Sequence, residues 1–269
     1  MERGSGPSHD AYVLPRHPTE VDRLDVQHYA YQAAMGTNFI APIRELSRAL
    51  DVGCGTGRWA CEVCSSFPDA LVVGFDLEPS ESAKPPNFRF VQGNLLQGLP
   101  FSEGSFDLVH QRLLISGVPL RRWPATVENL VALARPGGWV ELLEASPGLE
   151  PEGPATRRLY DLLRSVGRTA GLDTFGHVFG SLDRYLVEAG ARAVQRRTLE
   201  VPVGEWAGQR GTWMVCDYRA LFTRMAPVFE TRYKVPQSEC MATITTMLEE
   251  FEQLQPVLRV KVAIGRRPM

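Results

Sequence analysis

The sequence predicts an α/β fold, a doubly wound and mostly parallel sheet with a helical cap. Three observations predict it. An apolar run, a glycine-rich turn and a segment with helical character follow one another between Arg48 and Phe67. Apolar runs and helical stretches then alternate as far as Glu144. Polar residues stand just after the apolar runs: Asp51, Asp76, Asn94, His110-Gln111-Arg112 and Glu144. Alternating strands and helices imply a parallel sheet covered on both faces. Ligands bind such sheets beyond the carboxyl ends of the strands, where strand order reverses.

A chain of 269 residues suits one elaborated domain or two small ones. Met1 to Asp10 is polar and reads as a disordered lead-in without the apolar core of a signal peptide. Ala11 to Arg23 contains prolines and mixed charges and reads as an extended arm. From Leu24 to Ile43, Val26, Ala30, Ala33 and Ala34 recur at near-helical spacing. Gly36-Thr37-Asn38 is expected to break this helix, and Pro42 to start a further short one.

Strand one is expected at Ala49–Val52 and a helix at Arg58–Ser66, ended by Pro68-Asp69. Leu71–Phe75 is a continuous apolar run, as in buried parallel strands. Glu78 to Asn87 is polar and too broken by proline for a full helix. Strands follow at Phe88–Gln92 and Phe106–His110. In Arg122–Ala134, Val127, Leu130, Val131 and Ala134 share one helical face. Arg135-Pro136-Gly137-Gly138 ends that helix, and strand five is Trp139–Leu143. Beyond Glu144, helices are expected at Thr156–Ala170, Ser181–Ala189, Thr212–Phe229 and Ser238–Leu254, and strands at Arg192–Val203 and Val257–Ile264. The domain plan is residues 1–45 as an N-terminal arm with helices, and 46–269 as one domain with a cap inserted at about 150–180 and 205–255.

Net charge is −2, with acids and bases mixed, so no basic nucleic-acid footprint is indicated. No apolar run approaches the roughly 18 residues of a membrane span. Five cysteines without a disulfide framework suggest a reducing, cytoplasmic setting. Cys61-x-x-Cys64 has half the spacing of a zinc site, but no second pair completes it, and no metal is expected.

The stretch Asp51-Val52-Gly53-Cys54-Gly55-Thr56-Gly57 carries the chemistry. Glycines at alternate positions let the backbone turn sharply and let a ligand approach it. The following helix start adds unpaired N–H groups. A structural βα turn is the competing reading, and three glycines behind an acid favour a cofactor site. Against the dinucleotide pattern Gly-x-Gly-x-x-Gly, the third glycine arrives one residue early.

Leu50-Asp51-Val52-Gly53-Cys54-Gly55-Thr56-Gly57 resembles motif I of the class I S-adenosylmethionine-dependent methyltransferases. Gly74-Phe75-Asp76-Leu77 is similar to the family's acidic end of strand two, and Phe106–His110 to its fourth strand. Leu133-Ala134-Arg135-Pro136-Gly137-Gly138 resembles its Leu-Lys-Pro-Gly-Gly turn. Together these motifs cover Ala49 to Glu144. Arg23-Leu24-Asp25-x-Gln27-His28 and Gly137-Gly138-Trp139-Val140-Glu141 are further similar to the LaeA-like, secondary-metabolite methyltransferases.

The resemblance implies a seven-stranded, Rossmann-like sheet with S-adenosyl-L-methionine as cofactor. It implies Gly53, Cys54 and Gly55 against the methionine part, and Asp51 near its ammonium. It implies Asp76 on the ribose hydroxyls, and Leu77 and Leu95 flanking the adenine. Asn94 stands where the family has Asp, and its amide oxygen can still accept from the adenine amino group; a turn asparagine is the alternative. Backbone at His110 and Gln111 would line the methionine side. The N-terminal helix would close over the cofactor, with Gln27, His28 or a neighbouring Tyr touching it.

If the acceptor must lose a proton, His110 and Glu144 are the candidate catalytic bases. His28 and His177 are candidate substrate contacts. Trp206, Trp213, Met214, Tyr218, Phe222 and Met225 either fill the cap or line a substrate cavity. The expected activity is methyl transfer to an oxygen or nitrogen of a small apolar or aromatic metabolite. A cyclase or pericyclase on the same fold, and a cofactor-binding regulator with a protein partner, are the alternatives. A small-molecule substrate is the expected partner, nucleic acid and membrane are not, and a homodimer is left open.

Overall fold

The computed structural model describes residues 20–79 and 84–269, with side chains from Arg23 onward. The expectations for the lead-in, for the arm up to Thr19 and for Ser80 to Ala83 lie outside the described residues, while the end of the arm, Glu20 to Arg23, is helical rather than extended. Seven strands, β1 (Arg48–Val52), β2 (Leu71–Asp76), β3 (Phe88–Gln92), β4 (Phe106–Arg112), β5 (Ala134–Glu150), β6 (Arg192–Pro202) and β7 (Val257–Arg266), form one sheet. Their order is β3-β2-β1-β4-β5-β7-β6. β1 to β5 pair in parallel, and β7 runs antiparallel to both β5 and β6. Chain order reverses between β1 and β4, so the ligand crevice of a doubly wound sheet opens at their carboxyl ends.

Helices α1 (Glu20–Met35), α2 (Arg58–Ser66), α3 (Trp123–Leu133), α4 (Pro154–Thr169), α5 (His177–Glu188), α6 (Gln209–Tyr233) and α7 (Gln237–Leu254) cover it. One core layer joins α3 and α5 to the sheet through Val127, Leu130, Leu182 and Leu186 against Leu50, Val109, Val140 and Leu142. The opposite layer packs Trp59, Ala60 and Val63 of α2 against Ala49, Val72 and Leu108. Cys64 is buried in that layer as a small apolar helix residue.

The structure departs from the sequence expectation at β5, which runs from Ala134 to Glu150 rather than from Trp139 to Leu143. Phe106 pairs with Ala134 and Leu108 with Trp139, so the Pro136-Gly137-Gly138 turn bulges between two stretches of ladder. Leu149 and Glu150 pair with Leu258 and Val257 of β7. This distal ribbon buries Leu143, Leu149, Val201, Val203, Leu258 and Val260 against the cap helices. The cap's Met214, Tyr218, Phe222 and Met225 are buried there, whereas Trp206 is exposed. Its indole Nε1 donates to the Val203 carbonyl.

No helix starts at Pro42. The segment after α1 is irregular because Glu141 takes its backbone donors: Ile40 N lies 2.7 Å and Ala41 N 2.9 Å from Oε2. Side-chain acceptors satisfying backbone donors in this way replace a helical ladder. Among the described residues no helix is long and apolar enough to cross a membrane.

Candidate cofactor and active site

The glycine turn follows β1 directly. Gly53 N and Cys54 N donate to the Phe75 carbonyl at 2.8 and 3.2 Å, tying the turn to the end of β2. Gly53 and Gly55 have φ of +72° and +53°, in the left-handed region that glycine adopts without a Cβ penalty. Space is equally tight: a Cβ on Gly53 would lie 2.4 Å from Leu114 Cδ2, and one on Gly55 would lie 3.2 Å from Leu24 Cδ1. The turn is thus covered by the loop after β4 and by α1.

Asp76, at the end of β2, reaches back to the turn. Its Oδ2 accepts from Gly55 N at 2.7 Å and its Oδ1 from Leu77 N at 2.6 Å. Burial raises the Asp76 carboxyl above its ordinary range, and these backbone donors pull it back toward the charged form. Past β3, the Asn94 side-chain oxygen accepts from Leu96 N at 2.9 Å and caps a single helical turn that begins at Leu95. The turn-asparagine geometry is therefore present. Gln92 Nε2 donates to the Leu77 carbonyl at 2.9 Å, which draws the two loops together.

Side chains at the end of β4 alternate between the sheet faces. His110 turns toward α2, stacked on the Trp59 indole with ring centres 3.8 Å apart and planes within 3°. Its Nδ1 lies 2.8 Å from Asp51 Oδ1, the residue opposite it on β1. Burial lowers the His110 pKa, although Asp51 pulls the other way. Gln111 turns to the opposite face and donates from Nε2 to Glu144 Oε1 at 2.7 Å. Glu144 is fully buried. It also accepts from Leu114 N at 2.7 Å and Ile115 N at 3.3 Å. Burial pushes its pKa up to about 8. Its carboxyl group holds the loop after β4 in place through these contacts, a task the sequence did not reveal.

Arg112, the last residue of β4, places Nη1 and Nη2 each 3.2 Å from His28 Nδ1 on α1. Desolvation and then the Arg112 charge lower the His28 pKa to about 3, so this imidazole is neutral. A neutral ring accepting at Nδ1 carries its proton on Nε2. That nitrogen lies 3.1 Å from Glu62 Oε1.

Helix α1 lies over the turn through polar contacts on two stripes. Asp25 accepts from Thr56 Oγ1 at 2.7 Å and from Arg58 Nη2 at 2.6 Å. On the neighbouring stripe, Arg23 Nη1 lies 2.6 Å from Asp217 Oδ1, and Gln27 Nε2 donates to Asp217 Oδ2 at 3.0 Å. Both members of the Arg23–Asp217 pair are buried. His28 and His110 thus converge near Arg112, whereas His177 is exposed on the first turn of α5 and takes no part in this cluster. Sequence reasoning assigned no task to Arg112, Trp59 or Leu114. The available signal was the i, i+4, i+8 run Leu24, His28, Gln32, which marks a second, half-buried stripe on α1 centred on the buried His28.

Residues 49–138 match the family model described as a methyltransferase domain. The chain is 31% identical over 201 residues to the methyltransferase str2 of Strobilurus tenacellus, covering 71% of each chain. The chain belongs to the class I S-adenosylmethionine-dependent methyltransferases. It is also 33% identical over 206 residues to the secondary metabolism regulator laeA of Aspergillus flavus, covering 72% of this chain and 54% of that protein. This methyltransferase therefore spans about half the length of that relative. The Haemonchus contortus N-methyltransferase 2, solved with phosphomonomethylethanolamine and S-adenosylhomocysteine, shares the fold at a TM-score of 0.55 and 14% identity. That likeness covers 98% of this chain and 61% of the other. The cofactor of the methyltransferase is S-adenosylmethionine, and the turn suits it. At Gly53 a Cβ would collide with Leu114, at Gly55 it would press on Leu24, and a carboxylate closes the end of β2.

Proposed function

We propose that this methyltransferase acts on an oxygen or nitrogen of a small, apolar or aromatic metabolite, in secondary metabolism. One observation carries the reading. The Asp76 carboxylate at the end of β2 accepts from Gly55 N in the turn after β1, beside the reversal of strand order and beneath α1, which packs on the apolar cap.

In this reading Asp76 accepts from the ribose hydroxyls, with charge-assisted bonds. Gly53, Cys54 and Gly55 face the methionine part, with Leu77, Asn94 and Leu95 on the adenine side. Gln111 and the His110 backbone complete the methionine side, and Asp51 neighbours the ammonium. When bound, the cofactor supplies a methyl group on a sulfonium. The residues around it contribute alignment and exclusion of water. Asp51 holds the His110 Nδ1–H, which leaves the Nε2 lone pair to take the acceptor's proton. Glu144 supports this arrangement by holding the loop that presses Leu114 onto Gly53. Residues up to 45 serve as the cover, and 46–269 as the domain with its cap.

The similarity to a relative named as a regulator favours a second reading, in which the bound cofactor serves as a signal. Calorimetry with S-adenosylhomocysteine is expected to show binding on the order of micromolar. Asp76→Ala is expected to abolish it. Incubation with panels of phenols and amines should then give products heavier by one methylene. Binding without any such product supports the regulatory reading, and absence of cofactor binding overturns both.

A further inference from the structure

Strand β4 delivers a cation to the site for which the described fold supplies no anion. Arg23 has Asp217, and Arg58 has Asp25. The Arg112 guanidinium bonds only to His28 Nδ1, and among the described residues it forms no ion pair. A guanidinium carries five donors in a planar fork, and one neutral imidazole nitrogen accepts very little of that capacity. Taking such a group largely out of water without a carboxylate is costly.

The nearby acids are already engaged. Asp51 is held by His110, and Glu62 accepts from Gln32, with His28 Nε2 3.1 Å from its other oxygen. Both act on Arg112 through space without bonding to it. His28 in turn stays neutral, so it holds the guanidinium in place without cancelling its charge. Arg112 also ends the strand beside β1, whose own end carries Asp51 and the glycine turn. A fixed, uncompensated fork at the strand ends is suited to a two-oxygen anion, which it can engage through paired charge-assisted bonds.

We propose that Arg112, seated on neutral His28, binds a carboxylate at the methionine end of the cofactor site. Two sources share this chemistry. One is the α-carboxylate of the cofactor itself. The other is a carboxylate on the methyl acceptor. The inference rests on membership of the family and not on the acceptor class proposed above.

Calorimetry with S-adenosylmethionine and its decarboxylated form separates the sources, because the two ligands differ only in the carboxylate. If the carboxylate is the cofactor's, Arg112→Gln weakens S-adenosylmethionine about tenfold or more, the scale of a lost charge-assisted pair, and leaves the decarboxylated form unchanged. If it is the acceptor's, both cofactor forms bind Arg112→Gln as they bind the wild type. Benzoate then binds wild-type protein loaded with S-adenosylhomocysteine and does not bind the loaded variant. Binding of the decarboxylated form also reports that the variant is folded. Should Arg112→Gln fail to fold, Arg112→Lys is read by the same difference, with a smaller loss expected because the fork is gone and the charge remains. Equal weakening of both cofactor forms, or no change in either cofactor or benzoate binding, overturns the proposal.

Discussion

Gly53 shows why the turn is written in glycine. Its φ of +72° and the Leu114 side chain above it each exclude a Cβ. Gly36, at the end of α1, has a similar φ of +73°, and a Cβ there would meet nothing within 4 Å. The two positions therefore separate backbone strain from crowding. Gly36→Ala should cost about 1 kcal/mol, the usual order for a non-glycine residue in the left-handed region. Gly53→Ala should cost more in denaturant titration, by about 1–3 kcal/mol of additional overpacking. Only Gly53→Ala should weaken S-adenosylhomocysteine in calorimetry, since Leu114 must leave the turn. Equal stability losses with unchanged binding in both variants would show that Leu114 yields without consequence.

At the scale of elements, α1 is held by charge as well as by its buried Ala30, Tyr31 and Met35. Arg23 and Gln27 reach α6 through Asp217, while Asp25 and His28 reach the glycine turn and α2. The Arg23–Asp217 pair is buried, so removing one partner strands the other's charge. Arg23→Ala is expected to destabilise by about 3–5 kcal/mol on that ground. It should also release α1 from the cap, which limited proteolysis would read as early cleavage within residues 20–35. Cleavage at the wild-type rate would show that the contacts with the turn anchor the helix by themselves. The element boundaries were legible where local pattern decides them: α2 and β3 fall on Arg58–Ser66 and Phe88–Gln92, as the sequence predicts. β5 was not, because its outer half is a strand only by pairing with β7, more than a hundred residues later.

Across the whole molecule, the buried ionisable groups define how stability follows pH. His28 falls from 6.5 to about 3, so the unfolded chain binds a proton there that the folded chain does not. That difference makes stability rise with pH between about 3 and 6.5. His110 is lowered in the same direction. Glu141 and Glu144 rise from 4.5 to about 7 and about 8, so the folded chain holds protons that the unfolded chain has lost. Their sign is opposite, and stability falls as pH rises from about 4.5 toward 8. Between about 4.5 and 6.5 the histidines oppose the glutamates, and above about 6.5 that opposition is gone. Thermal melting should therefore decline more steeply from about pH 6.5 to 8 than from about 4.5 to 6.5. Glu144→Gln should flatten that decline whatever its effect on the absolute melting temperature; an unchanged slope would show that Glu144 is ionised throughout.

The sequence by itself determined the sheet of alternating strands, the glycine turn and the acid at the end of β2. These depend on local rules: side-chain periodicity, positive φ at glycine, and a short, regular spacing from the turn to Asp76. The family resemblance rested on the same local motifs. Only the tertiary structure decided which polar side chains meet. Arg112 meets His28 across 84 positions, and Arg23 meets Asp217 across 194. Glu144 was legible as a polar residue after a strand, and its place on the Gln111 side of the sheet was not. Such pairings depend on how α1, β4 and α6 pack, and long-range packing leaves no periodic trace in the chain. In this methyltransferase the sequence marked the glycine turn and the acid that suit a cofactor, and the packing of α1 set His28, rather than a carboxylate, against Arg112 among the described residues.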